Sequence, residues 1–269
     1  MNKPPVKEKI INLQGYPLTF KESGQGQPLI FIHTTHLYAK YFANLQSNKY
    51  KIITLDIPGY YHYGQQKKPI TSIDLFVDLM ADFFQKLNFT KVDLIGECLG
   101  TTIVAKFALE YPQQVKRLIL ICPPLKVNQP KLSLFFDHLA KSPFWGKLAK
   151  ALIIYPNPIV GLLKTLFGYG SLSQKGTYLL FQKNFDQRVF FGILADFFKI
   201  DQVKILKQVK TKTLIIAGKK DLFNDEVKIK NICQQKKNFT CANLAEADHR
   251  LIDKQTENFH QIVSKFLPH

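Results

Sequence analysis

The chain has 269 residues, 46% hydrophobic and 21% charged. That is the composition of a globular protein with a substantial core, in one domain or one domain plus an inserted lobe, and it excludes a low-complexity chain. The formal net charge of +17 comes from lysines scattered over the whole length. Diffuse charge of this kind reads first as a basic, soluble surface and only second as attraction to anionic substrates, carriers or membranes.

No uninterrupted apolar run reaches the roughly 18 residues that span a bilayer. The nearest, residues 151–167, is broken by Pro156, Pro158 and Lys164. The start of the chain, Met1-Asn2-Lys3-Pro4-Pro5, is polar and lacks the apolar segment of a secretory signal. The cysteines at 98, 122, 233 and 241 show neither zinc-ligand spacing nor the density of a disulfide framework. Together these features predict a reducing, cytoplasmic setting.

Residues 9–13 and 16–22 alternate apolar and polar side chains around Gly15, which predicts a hairpin at a sheet edge. After a turn at 23–28, Leu29-Ile30-Phe31-Ile32 is continuously apolar, as a strand buried on both faces should be, and it ends at His33-Thr34-Thr35-His36. A second such strand, Lys51 to Leu55, ends at Asp56-Ile57-Pro58-Gly59, where Asp56 reads as a turn-forming carboxylate. A helix over 72–87 follows, capped by Ser72, with Asp74 in its first turn and apolar residues at helical spacing.

Val92-Asp93-Leu94-Ile95 then runs into Gly96-Glu97-Cys98-Leu99-Gly100 and a helical run from Thr101 to Tyr111. A strand that ends in Gly-x-Cys-x-Gly and turns at once into a helix has the layout of a nucleophile elbow. The glycines permit a close approach of helix and strand, and the corner residue is driven toward positive φ. Its side chain is lifted to a helix N-terminus, where backbone N–H groups favour negative charge. The five residues alone are a weak signal, because free cysteines are commonly inert small hydrophobes. Arg117 to Cys122 is a further buried strand, with Cys122 read as packing at its end.

Strands alternating with helices in this rhythm predict an α/β fold, a doubly wound, mostly parallel sheet, with chemistry gathered at the carboxyl ends of the strands. From Pro123 to about Lys199 the rhythm stops. The segment has helical apolar patterns and ten Lys or Arg against three Asp. It reads either as a lid walling an acyl pocket or as a small helical subdomain whose apolar residues make its own core. The sheet pattern resumes with Thr213 to Ala217, ending in Gly218-Lys219-Lys220-Asp221, and with the last strand Phe239 to Leu244. His249 lies on the loop after it, before an amphipathic closing helix through Phe259, Val263 and Leu267.

On these residues the chain resembles the α/β-hydrolase fold family, with Cys98 where most members carry serine. The resemblance covers roughly residues 9–122 and 205–267, and it implies a core of residues 1–122 and 200–269 with residues 123–199 as an inserted helical lid. It implies Cys98 as nucleophile, His249 as base and Asp221 as the acid behind it, in the chain order nucleophile, acid, histidine. The elbow would comprise Gly96, Glu97 and Gly100. The oxyanion hole would be formed by the backbone N–H groups of Thr35 and Leu99, on a loop of His33, Thr34 and His36. Thr34 stands where the family has glycine.

The activity implied is hydrolysis of an ester or thioester in a hydrophobic acyl substrate through an acyl-thioester enzyme. Acyl transfer from the same intermediate and a catalytically inactive binding protein are the alternatives. No cofactor, metal or nucleic-acid partner is implied. The expected partner is a small acyl substrate, with carrier- or CoA-linked forms as variants, and membrane contact through the basic, apolar lid is the less favoured reading. Oligomeric state is left open.

Overall fold

The protein, a computed structural model, is described for residues 6–32, 49–57, 67–154, 185–249 and 251–267. Its strands are β1 (Lys7–Leu13), β2 (Tyr16–Gly24), β3 (Gln27–Ile32), β4 (Tyr50–Leu55), β5 (Val92–Glu97), β6 (Val115–Ile121), β7 (Lys212–Gly218) and β8 (Phe239–Leu244). They form one eight-stranded sheet in the order β1-β2-β4-β3-β5-β6-β7-β8. β1 and β2 are the predicted edge hairpin, β2 pairs antiparallel with β4, and every later pairing is parallel. The sheet predicted from the alternating rhythm is therefore present.

The central strands are apolar on both sides because each feeds two cores. Ile30, Ile32, Leu94, Leu118, Leu120 and Ile215 enter one cluster. Leu29, Phe31, Ile95, Ile119, Ile121, Leu214 and Ile216 enter the other. The period of two along each strand sends alternate side chains to opposite faces. The first face is covered by α1 (Ile73–Lys86) and α2 (Leu99–Glu110). In α1 the Ser72 side chain accepts from the Leu75 N–H, as the sequence predicts, and Ile73, Phe76, Val77, Met80, Phe83 and Phe84 are buried. The closing helix of the chain (Thr256–Phe266) covers the second face with Phe259 and Val263.

Between β6 and β7 the described residues form α3 (Pro130–Lys141), α4 (Pro143–Ile154), α5 (Gln187–Lys199) and α6 (Gln202–Gln208). Residues 155–184 lie outside the described residues. α5 is not confined to a separate helical core: Val189, Phe191 and Ile193 belong to the main cluster. The Asp196 carboxylate accepts from the Ile73 N–H at 2.8 Å, tying this helix to the start of α1. Phe136 of α3 stacks on Phe198 with ring centroids 5.3 Å apart. The outer faces of α3 and α4 leave Leu134, Phe135, Phe144 and Trp145 exposed.

Cys233, on the helix over Glu226–Gln235, is disulfide-bonded to Cys241 on β8. The spacing of the cysteines did not foretell this pair, which the fold brings together by laying that helix beside the last strand. Such bridges are rare in the reducing compartment expected from the sequence. Among the described residues no helix is long and apolar enough to cross a membrane.

At the amino-terminal ends of β5 and β6, Asp93 and Arg117 are Cα partners. They form a bidentate ion pair, Nε to Oδ1 at 2.9 Å and Nη2 to Oδ2 at 2.7 Å. Both side chains are buried. Removing one partner of such a pair leaves a desolvated charge. Arg117→Met is therefore expected to lower stability by roughly 3–5 kcal/mol, read from the urea midpoint. Asp93→Leu combined with Arg117→Met should recover most of that loss.

Candidate active site

At the opposite, carboxyl end of β5 the chain turns through Cys98 with φ 50° and ψ −118°, and α2 begins at the next residue. A non-glycine residue at positive φ is strained and persists only where its surroundings fix it. Those surroundings are specific. The Cys98 N–H donates to the Ile121 carbonyl at 3.0 Å, and the Cys98 carbonyl accepts from the Thr101 N–H at 2.9 Å. The same carbonyl also accepts from Thr101 Oγ1 at 2.6 Å. Thr101 Oγ1 in turn accepts from Gln202 Nε2 at 2.7 Å in a buried contact.

The predicted glycines act as expected. A Cβ on Gly96 would lie 2.5 Å from the Gly100 carbonyl oxygen, and one on Gly100 would overlap the Ile32 carbonyl oxygen. The helix can therefore sit directly on β3 and β5 only with glycine at both places. Glu97 is buried between them. Leu99 is the first residue of α2, so its N–H is among those the helix leaves without an internal partner. His33, Thr34, Thr35 and His36 lie outside the described residues.

His249 is brought to Asp221 by two loops that brace each other. After β7 the Lys220 N–H donates to the Ala247 carbonyl at 2.9 Å, and after β8 the Ala247 N–H donates to Leu244. The Asp221 carboxylate is then fixed on both oxygens. Oδ1 accepts from the Phe223 N–H at 2.9 Å, and Oδ2 lies 2.9 Å from His249 Nδ1. Both side chains are buried. Nδ1 is thereby committed to Asp221, and the Cys98 side chain is near enough for its charge to act on the ring.

Burial, the largest influence on the imidazole, acts to lower its pKa. The charge of Cys98 and the hydrogen bond and charge of Asp221 outweigh it, so the pKa is raised well above 6.5. His249 and Asp221, which the sequence places on two distant loops, thus meet in one buried hydrogen-bonded pair, and the charge of Cys98 acts on the same ring.

Sequence reasoning gave Cys122 only a packing role, yet the structure sets it beside this pair. It follows β6 directly, also turns at φ 50°, and is fully buried. Its Sγ, an Asp221 oxygen and a His249 nitrogen all lie within 4.8 Å of one another. Burial pushes its thiol pKa well up, with the charges of Asp221, Glu97 and Cys98 adding to the effect. Its place at a strand's carboxyl end was the available signal. The three donor atoms could in principle hold a metal, but Asp221 and His249 are already hydrogen-bonded to each other. The arrangement is suited to moving a proton between sulfur and imidazole.

Gln202 was also missed, because the segment before it carries no strand rhythm. His138 lies on α3 and not with the pair. Asp56 is buried and its N–H donates to the Thr19 carbonyl at 3.1 Å, joining the end of β4 to β2.

A family model described as alpha/beta hydrolase fold matches residues 27–254. The (E)-2-((N-methylformamido)methylene)succinate hydrolase of Acinetobacter baylyi is 30% identical over 105 residues, 37% of this chain and 39% of that protein. The 1-acylglycerol-3-phosphate O-acyltransferase ABHD5 of Sus scrofa is 28% identical over 145 residues, 50% of this chain and 40% of that protein. The chain thus spans about two fifths of the length of these curated relatives. Among solved structures, a hydrolase from Pseudomonas aeruginosa superposes with a TM-score of 0.76 at 15% identity, covering 97% of this chain and 98% of that one.

A raised folded-state pKa means that protonated His249 stabilises the fold. That contribution is complete below the ordinary value of 6.5 and is lost as pH rises through the raised value. Asp221→Asn is expected to move the His249 titration, followed by NMR of the imidazole, to lower pH. The stability difference between the two proteins should be largest below pH 6.5 and shrink as pH rises through the native His249 value.

Proposed function

Because the chain belongs to the alpha/beta hydrolase fold family, we propose that it cleaves the ester or thioester bond of a hydrophobic acyl substrate, with Cys98 as nucleophile. The observation that supports this reading is the buried His249–Asp221 hydrogen bond, with Cys98 at a strained corner on a helix N-terminus and its charge acting on the His249 ring.

In this mechanism the proton rests on His249, Cys98 is held as the thiolate, and its sulfur attacks the acyl carbon. Asp221 holds the ring in one tautomer and stabilises its positive charge. The Leu99 N–H faces the oxygen on which negative charge develops, and Thr35 would supply the second donor. His249 then protonates the leaving alcohol or thiol. Water, deprotonated by His249, attacks the acyl-thioester and restores the free enzyme. No metal or cofactor enters these steps.

Residues 123–199 act as the lid in this reading. The helical apolar pattern of this segment is what suits it to an acyl substrate and to the exclusion of water. An acyl-thioester is activated toward other nucleophiles as well as water, so acyl transfer is the second reading. The acyltransferase named among the relatives favours it.

The test is turnover of p-nitrophenyl esters and acyl-thioesters of rising chain length, with mass mapping of the acyl adduct. An adduct on Cys98 is expected, with turnover abolished by iodoacetamide and in Cys98→Ala. His249→Ala should slow turnover on the order of 10²–10⁴-fold. Added alcohol or amine acceptors separate transfer from hydrolysis. Absence of both adduct and turnover would leave a binding protein that keeps the fold.

A further inference from the structure

The mechanism above leaves one thiol of the site unused. Cys98 and Cys122 follow directly on Glu97 and Ile121, which are Cα partners in the parallel β5–β6 pair. The register is carried one step further by the Cys98 N–H, which donates to the Ile121 carbonyl at 3.0 Å. Neighbouring strands lie about 4.8 Å apart, inside the roughly 4.4–6.8 Å that two α-carbons span across a disulfide. Both residues leave their strands with φ 50°.

Both sulfurs also meet the same imidazole. The charge of Cys98 acts on His249, and the Cys122 Sγ lies within 4.8 Å of a His249 nitrogen. They differ in access, Cys98 being half-buried and Cys122 fully buried. A reagent from solvent therefore reaches Cys98 first, with Cys122 held behind it.

We propose that the two cysteines make a second reactive site within the first, at which Cys98 reduces a hydroperoxide and Cys122 closes the product into a Cys98–Cys122 disulfide. In the first step the Cys98 thiolate attacks the hydroxyl oxygen of the peroxide and the O–O bond breaks. The departing alkoxide takes the proton of the His249 imidazolium, leaving an alcohol and Cys98 sulfenic acid. In the second, the Cys122 sulfur attacks the Cys98 sulfur, the S–O bond breaks, and hydroxide leaves with the Cys122 proton as water. The two sulfurs together lose two electrons, and the peroxide becomes alcohol plus water. Cys122 thereby protects Cys98 from the irreversible rungs of thiol oxidation, and an external dithiol reopens the bond. The proposal uses the Cys98–His249 pair of the preceding reading but not its acyl chemistry.

The experiment treats the full-length protein with hydrogen peroxide and maps the peptides without reduction. A Cys98–Cys122 cross-link is expected, distinct from the Cys233–Cys241 bridge, and dithiothreitol should restore labelling of Cys98 by iodoacetamide. In Cys122→Ala, or in Cys122→Ser should the alanine variant not fold, Cys98 should pass to sulfinic acid, with loss of the dithiothreitol-recoverable thiol. Native protein in which Cys98 stays reduced, accumulates as sulfinic acid, or pairs with Cys233 or Cys241 would overturn the proposal. A cross-link without acyl turnover would leave it standing and remove the hydrolase reading, whereas turnover without a cross-link would do the reverse.

Discussion

The contact between α2 and the sheet at Gly96 and Gly100 governs how the rest of the site is built. Bringing a helix axis down onto two strands at this distance removes the room for any side chain at either position. It also forces the residue between them out of ordinary backbone conformations. The strain is held by hydrogen bonds to both sides of Cys98: its N–H reaches β6, and its carbonyl reaches Thr101. The strained geometry of Cys98 is in this sense a by-product of tight packing. A looser corner would relax Cys98 into the helix and carry its sulfur away from the imidazole.

The second element is electrostatic. A thiol and an imidazole exchange a proton usefully only if the ring keeps its charge in a buried place, and burial opposes that charge. Here the charge of Cys98 and the Asp221 carboxylate supply the compensation. That carboxylate accepts from the Phe223 backbone as well as from the ring, so it cannot swing away from the histidine. The loops that carry the two residues are tied at Lys220 and Ala247, next to the residues that matter. The site is thus a small region of fixed dipoles resting on a sheet.

Much of this was legible in the chain itself. Apolar runs such as Leu29 to Ile32 and Leu118 to Ile121 could only be strands buried on two faces. The glycines at 96 and 100, with a strand before and a helix after, announced the corner at Cys98. Asp221 and His249 were legible because each sits just past a late strand, where side chains of a parallel sheet converge. Cys122, Gln202 and the Cys233–Cys241 bridge were not, because each depends on which strands and helices become neighbours, and no local pattern encodes that. Cys122 looks like any apolar residue closing a strand until β7 and the His249 loop are laid over it. Gln202 matters only because the segment after α5 returns to the elbow.

That return has a mechanical meaning. The buried amide of Gln202 touches the hydroxyl of Thr101, which holds the Cys98 carbonyl, and α6 follows directly on the long excursion between β6 and β7. Two hydrogen bonds thus lead from the end of that excursion to the backbone of the Cys98 corner. They join the two by a route that does not run through the sheet.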